Sequence, residues 1–294
     1  MGFFLKIKNN KILLPTIMLT LFLVIVSINS VNFSNKHVKN ATAVYHRNVA
    51  YRNWVSVNGK HVDVRYKKAD QKHAEFIKKL GDDLYLHLKE RYSYTPTINP
   101  LIVIYPSQQE MLQNLGWEND KYASGVYQSG TIRLLSPTQW YNGDNSDDIH
   151  LFYKENGPLL HELTHHFVDE MTGGNYPTWY TEALAQLEEY KKYQIQWIDE
   201  DNSNPNELFA FKRLNNNFYG IENQALAYRQ SLIIAIFMEE KFGHNIHKQL
   251  LMEMDVNTSF EQAMKKLTGT DKKQLEKHWE TWIKNNKSKY FGKI

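Results

Sequence analysis

The run His161, Glu162, Leu163, Thr164, His165 sets two imidazoles four residues apart, with a carboxylate next to the first. On a helix, residues four apart share a face, so both rings can reach one ion while Glu162 projects beside it. This H-E-x-x-H spacing suits two histidine ligands to zinc and a glutamate acting as general base on water. A catalytic zinc takes three protein ligands and keeps one position open, so a third ligand is needed from elsewhere in the chain. The chain has no cysteine, which leaves histidine or carboxylate and excludes disulfides and thiol nucleophiles. The metzincin extension requires glycine and histidine where this chain has Val168 and Met171, so that solution is closed. Glu182 remains, in the first turns of a following helix that a short turn at Gly173 and Gly174 would fold back toward His165.

One zinc ion per chain in such a site acidifies the water it binds and polarises a carbonyl. Glu162 is then placed to take the proton as general base and to hand it on as general acid. Metal-binding imidazoles usually donate their second N–H to a fixed acceptor. Asp169 and Gln186, one turn beyond His165 and Glu182 on the same faces, are the expected partners. His166 points about 100° away around the helix and reads as structural. Asp144, Asp147 and Asp148, like Asp199 and Asp201, lack the glycine and terminal glutamate of a calcium loop.

These side chains need two kinds of support, and the pattern of the chain supplies both. His61–Tyr66 alternates as a strand, Asp70–Tyr92 is apolar at helical spacing, and Leu101–Tyr105 (LIVIY) reads as a buried strand followed by a helix at Ser107–Leu115. Ser124–Gln128 and Thr131–Leu135 flank Ser129 and Gly130 as a hairpin. Residues 45–141 are therefore expected to form a small α/β subdomain with a mixed sheet and a hairpin beside the site. After the polar, turn-rich stretch Asn142–Asp148, residues 142–294 read as a mainly helical subdomain. Its expected helices are Pro158–Thr172, Trp179–Tyr193, Glu222–Phe242, Ile246–Met254, Ser259–Leu267 and Asp271–Asn286, with a polar loop at Asp199–Asn206. The fold class is α+β.

The amino terminus has a different character. Lys6, Lys8 and Lys11 precede an uncharged apolar run, Ile12–Ile28, about the shortest that spans a bilayer. Residues 1–30 read as a signal anchor or a cleaved signal peptide, the anchor favoured because the Ala41-Thr42-Ala43 triplet lies far beyond the run. Residues 31–44, polar and aperiodic, read as a spacer. The lysine flank places the terminus in the cytoplasm and the remainder outside, membrane-attached or secreted if the signal is cleaved. Removing those lysines from the 35 basic residues leaves 32, equal to the acidic residues. A neutral remainder offers no electrostatic case for nucleic acid.

HELTHHF followed by WYTEALAQLEE resembles the gluzincins, the thermolysin-like clan, and above all its compact peptidase MA-like members. The likeness extends in pattern from about Val62 to Trp282, through Ala227, Tyr228 and Ser231 of an Ala-Tyr-x-x-Ser element and Leu275, Glu276 and Trp279 of a terminal Leu-Glu-x-x-Trp helix. It implies a thermolysin-like catalytic domain and a zinc metallopeptidase that hydrolyses peptide bonds in peptide or protein substrates. It also implies a tyrosine or histidine donor for the negative charge of the tetrahedral intermediate, here Tyr228, and substrate pairing with an edge strand of the hairpin. Two positions depart from the pattern: Ala183 replaces the usual glycine, and Gln186 stands where many relatives carry a carboxylate. The alternative function is a binding or interaction domain at the cell surface that keeps the fold with little or no turnover, though retention of Glu162 speaks against it.

Overall fold

An apolar run as uniform as Leu101–Tyr105 belongs to a strand covered on both faces, since a strand with one wet face would alternate. In a computed structural model describing residues 36–118, 123–140, 145–196, 207–255 and 257–291, this strand is the centre of a five-stranded mixed sheet. Its strands are β1 (Val55–Asn58), β2 (Asp63–Tyr66), β3 (Leu101–Tyr105), β4 (Gly125–Gln128) and β5 (Thr131–Leu135), in the spatial order β1-β2-β3-β5-β4. β2 runs parallel to β3 with Asp63 opposite Leu101, and β3 parallel to β5 with Leu101 opposite Thr131. The outer strands are antiparallel to their neighbours, Val55 facing Tyr66 and Gly125 facing Leu134. Helix α2 (Gln71–Tyr92) connects the first parallel pair, and α3 (Gln108–Leu115), capped by the Ser107 hydroxyl, lies between β3 and the hairpin.

The two-residue hairpin turn has Ser129 at φ 48° and Gly130 at φ 76°, the left-handed pair that matches the twist of the flanking strands. A side chain at Gly130 would also collide with the Ala43 methyl, since a β-carbon built there lies 2.9 Å from it. Ala43 belongs to a helix, α1 (Lys36–Tyr45), and is buried. The stretch read as a spacer is thus helical from Lys36 and touches the sheet. Its polar composition hid this, because it offers no apolar period to announce a helix.

Alternate residues of the strands feed two apolar clusters. Val64, Tyr66, Ile102, Ile104, Ile132 and Leu134 point into the larger one, while Leu101, Val103, Tyr105 and Leu135 pack with Tyr51 and Met111 on the other face. The larger cluster continues without a break through the helical half to Phe291. That half contains α4 (Ser146–Asn156), α5 (Leu159–Thr172), α6 (Thr178–Tyr193), α7 (Phe211–Asn216), α8 (Gln224–Phe242), α9 (Ile246–Glu253), α10 (Phe260–Thr268) and α11 (Lys272–Phe291). α4 starts inside the stretch read as polar loop, where Asn145 accepts from the Asp147 N–H as its N-cap. Among the described residues no helix is long and apolar enough to cross a membrane. The apolar run Ile12–Ile28 and the loop Asp199–Asn206 lie outside the described residues.

One buried polar contact fixes the packing of α6, α8 and α9. His247 Nε2–H donates to the Ala235 carbonyl at 3.0 Å, and its Nδ1 accepts from the Tyr180 hydroxyl at 3.0 Å. With both ring nitrogens so used and the residue fully buried, burial pushes the imidazole down to about 4. The unfolded chain takes up this proton near the ordinary histidine value of 6.5, and the folded chain only near 4. Stability from this site is therefore complete above pH 6.5 and is lost as pH falls toward 4, by up to ~3 kcal/mol. Denaturant unfolding at pH 7 and pH 4.5 is expected to show this loss in the native protein. His247→Gln, which keeps a donor and an acceptor without a titrating ring, is expected to show a smaller difference between the two pH values.

Candidate metal centre

α5 begins at Leu159 behind Pro158 and ends at Gly173, whose φ of 64° is the left-handed stop that glycine takes at no steric cost. Gly174 follows with φ 86°, and its N–H bonds to the Thr172 hydroxyl, so the chain reverses within a few residues before Pro177 opens α6. His165 then meets Thr181 and Glu182, while His161 meets Glu182 and Glu189. Moving up one helix means moving down the other, which is the signature of an antiparallel pair.

The three residues expected to bind metal converge. One donor atom from each of His161, His165 and Glu182 lies within 4.8 Å of the others. Glu182 Oε2 is 3.1 Å from His161 Nε2 and 3.5 Å from His165 Nε2. Ligand atoms about 2.1 Å from a tetrahedral zinc ion stand ~3.4 Å apart, so this spacing suits such an ion. The far side of each ring fits as well. His161 Nδ1 donates to Glu189 Oε2 at 3.2 Å and His165 Nδ1 to the Thr181 hydroxyl at 2.7 Å, which turns both Nε2 atoms inward: N–H donors to Glu182 while the rings are protonated, and lone pairs when a cation takes the place of those protons. The donor set, two imidazoles and one carboxylate with their outer atoms fixed, fits zinc.

The orienting acceptors are therefore Thr181 and Glu189, and not Asp169 and Gln186. The reason is the antiparallel register. His161 lies one turn before His165, so its neighbour on α6 must lie well beyond Glu182; Glu189, seven residues on, reaches it. Asp169, one turn beyond His165, accepts instead from Tyr127 at 2.7 Å and Tyr176 at 3.2 Å. It ties the edge strand to the turn between the two helices. Gln186 donates to the Tyr228 carbonyl at 2.7 Å and to the Glu182 carbonyl at 3.3 Å, linking α6 to α8. The i+7 spacing from Glu182 puts Glu189 on the same face of α6, but that it meets His161 follows only from the register of the two helices.

Electrostatics follow the geometry. Burial alone would raise the Glu182 carboxyl, but the charge of His165 and hydrogen bonds from both imidazoles outweigh it and hold the group well below the usual carboxylate range. Burial would likewise depress His161, yet Glu189 and Glu182 raise it well above the ordinary value. Glu162 goes the other way, raised by burial that the two histidines only partly offset. Its carboxylate accepts the backbone N–H of Tyr127 on β4. Gly125 on the same strand makes room for it, since a β-carbon there would lie 2.8 Å from Glu162 Oε1 and 2.9 Å from the Pro158 ring. β4 is the edge of the sheet, whereas β5 is interior.

Tyr228 on α8 is half-buried and faces Glu182 and Glu162, whose charges add to burial in raising its hydroxyl far above the ordinary value. Tyr219 was not anticipated. Its hydroxyl donates to Glu182 Oε1 at 2.8 Å from a 3₁₀ turn, Phe218–Gly220. His166 is buried and its Nε2–H donates to the Ile98 carbonyl, in keeping with a structural role.

Because Glu189 orients His161 from outside the three converging donors, Glu189→Gln is expected to keep the fold and, if these donors hold zinc, to weaken its binding roughly 10–100-fold. Competition titration against a chromophoric chelator measures this directly; an unchanged dissociation constant would remove Glu189 from the site.

No curated protein matches this sequence. Residues 144–285, which span α5 and α6 through most of α11, match the family model of the Peptidase MA superfamily, and this supports a metallopeptidase-like fold of the peptidase MA-type clan.

Proposed function

We propose that this chain is a zinc-dependent peptidase of the gluzincin type, acting outside the cytoplasm on peptides or exposed protein segments. The observation that carries the reading is the convergence of His161, His165 and Glu182 with Glu162 held beside them against an edge strand. When bound, zinc would supply the Lewis acidity that acidifies water and polarises a peptide carbonyl. Glu162, raised by burial, takes a proton from the attacking water and returns it to the leaving amine. Tyr228, kept protonated by its surroundings, is the donor for charge that develops on the carbonyl oxygen. Gln186 fixes the main chain at Tyr228 relative to Glu182, which keeps this donor in place.

β4 supports an extended substrate. As an edge strand, it has no further strand of the sheet on its outer side, so a peptide can be laid alongside it, and such pairing brings the peptide toward Glu162, which takes the Tyr127 N–H. The lysine-flanked apolar run near the amino terminus supports a single membrane anchor with the catalytic part outside.

Two substitutions test the reading. Glu162→Gln keeps the zinc ligands and is expected to retain one zinc per chain while lowering hydrolysis of a denatured protein substrate by about 10²–10⁴-fold. Retained hydrolysis would remove Glu162 from its role, and loss of metal from the native chain would remove the metal reading. Gly125→Ala introduces a methyl group against the Glu162 carboxylate and the rigid Pro158 ring. It is expected to preserve zinc content and cut turnover by at least ~10-fold, an overpacking cost of the ordinary size for a closed site. Metal analysis and initial rates on the same samples separate the two effects.

A further inference from the structure

The zinc reading leaves Tyr219 without a task, although its position is unusual. About 66% of its surface is exposed, yet the hydroxyl reaches inward to Glu182 Oε1. The turn that carries it is well fixed. Gln224 donates to the carbonyls of Phe218 at 2.7 Å and Ile221 at 2.8 Å, and Phe218 is buried edge-on against Tyr228 with ring centroids 5.1 Å apart. An exposed ring contributes little to the core, so the hydroxyl is the part of Tyr219 that the local structure uses. A phenol hydroxyl carries its own proton and so serves as the donor in this contact.

Glu182 is thus used at both oxygens. Oε2 faces the two imidazoles, and Oε1 is occupied by Tyr219. A carboxylate ligand binds with one oxygen or with two, and the second mode fills the position that a catalytic zinc keeps for water. We propose that Tyr219 is a positioning residue that holds Glu182 to one-oxygen binding and so preserves the open coordination position. The inference rests on the zinc reading above but concerns a residue that acts through Glu182 and has no contact with the ion.

The test uses the full-length chain, stripped of metal and reloaded separately with Co²⁺ and Zn²⁺. If the native chain binds neither ion, the zinc reading fails, and the inference is overturned with it. If it binds, the visible absorption of the Co²⁺ form reports coordination number, because four-coordinate cobalt absorbs more strongly than five-coordinate cobalt. Tyr219→Phe keeps the ring and removes the hydroxyl. Its cobalt band is expected to weaken by ~2-fold or more as Glu182 turns both oxygens to the metal, with the geometry change diagnostic of the ligand mode. The zinc dissociation constant is also expected to change, by about 10-fold, as for loss of other groups that orient a ligand. A thermal midpoint equal to that of the native protein in the metal-free state excludes a folding effect. An unchanged band with unchanged zinc affinity overturns the proposal, while the zinc reading stands. Loss of turnover with an unchanged band and affinity also overturns it, because Tyr219 would then act on substrate and not on Glu182.

Discussion

Three carboxylates, Glu162, Glu182 and Glu189, are buried around two imidazoles, and the folded chain must compensate that charge. A carboxylate taken out of water without compensation costs several kcal/mol, so the cluster cannot be an accident of packing. Each acid is tied to a histidine or a backbone N–H: Glu182 to both rings, Glu189 to His161, and Glu162 to the Tyr127 amide. The surplus of negative charge suits a divalent cation. It also explains why α5 and α6 are buried on nearly all sides, since water in the cluster would weaken every one of these interactions.

That constraint reaches outward into the fold. The antiparallel register of α5 and α6 depends on a turn that glycine alone adopts easily, at Gly173 and Gly174. The back of α5 is fastened to the loop before β3, where Thr97 donates to Glu170 through both its N–H and its hydroxyl, and where Ile98 accepts from His166. The sheet edge is held to the same helix pair by Tyr127, which bonds to Asp169 and whose ring packs near His165 and His166. A strand, two helices and a loop thus meet at one place.

Much of this was legible because the informative relationships are local. The His161 and His165 spacing lies within one helix, and Glu182 follows a short turn, so chain geometry narrows its position. The central strand and hairpin were equally clear, the first from its unbroken apolar run and the second from Ser129 and Gly130. What escaped needed information the chain carries only once folded. Thr181 and Glu189 serve the two imidazoles through the relative register of two helices, which spacing within either helix does not define. β1 (VSVN) is mostly exposed and has almost no apolar alternation to announce it. Helix α4 opens on the polar residues of what reads as a loop, and α1 is polar in composition. Tyr219 lies in a short turn among other aromatic residues, and nothing in its neighbourhood distinguishes it from a surface tyrosine.

Helix α6 shows how the molecule keeps two kinds of charge apart. Glu188 and Glu189 are consecutive and both buried, yet they point to different sides. Glu188 accepts from Arg91 and Tyr92, and Arg91 continues to Glu239, which also pairs with Lys191. That side is neutralised by fixed cations. On the other side, Glu189 meets His161, and the tyrosine hydroxyls of Tyr219, Tyr127 and Tyr176 donate to Glu182 and Asp169. The difference has a physical basis. A lysine or arginine beside the ligands would satisfy a carboxylate but repel a dication by several kcal/mol at short range. A tyrosine donates a proton without carrying charge, and burial keeps Tyr127, Tyr176 and Tyr219 protonated. One helix thereby separates a cationic structural network from a site whose negative charge is left available to a metal.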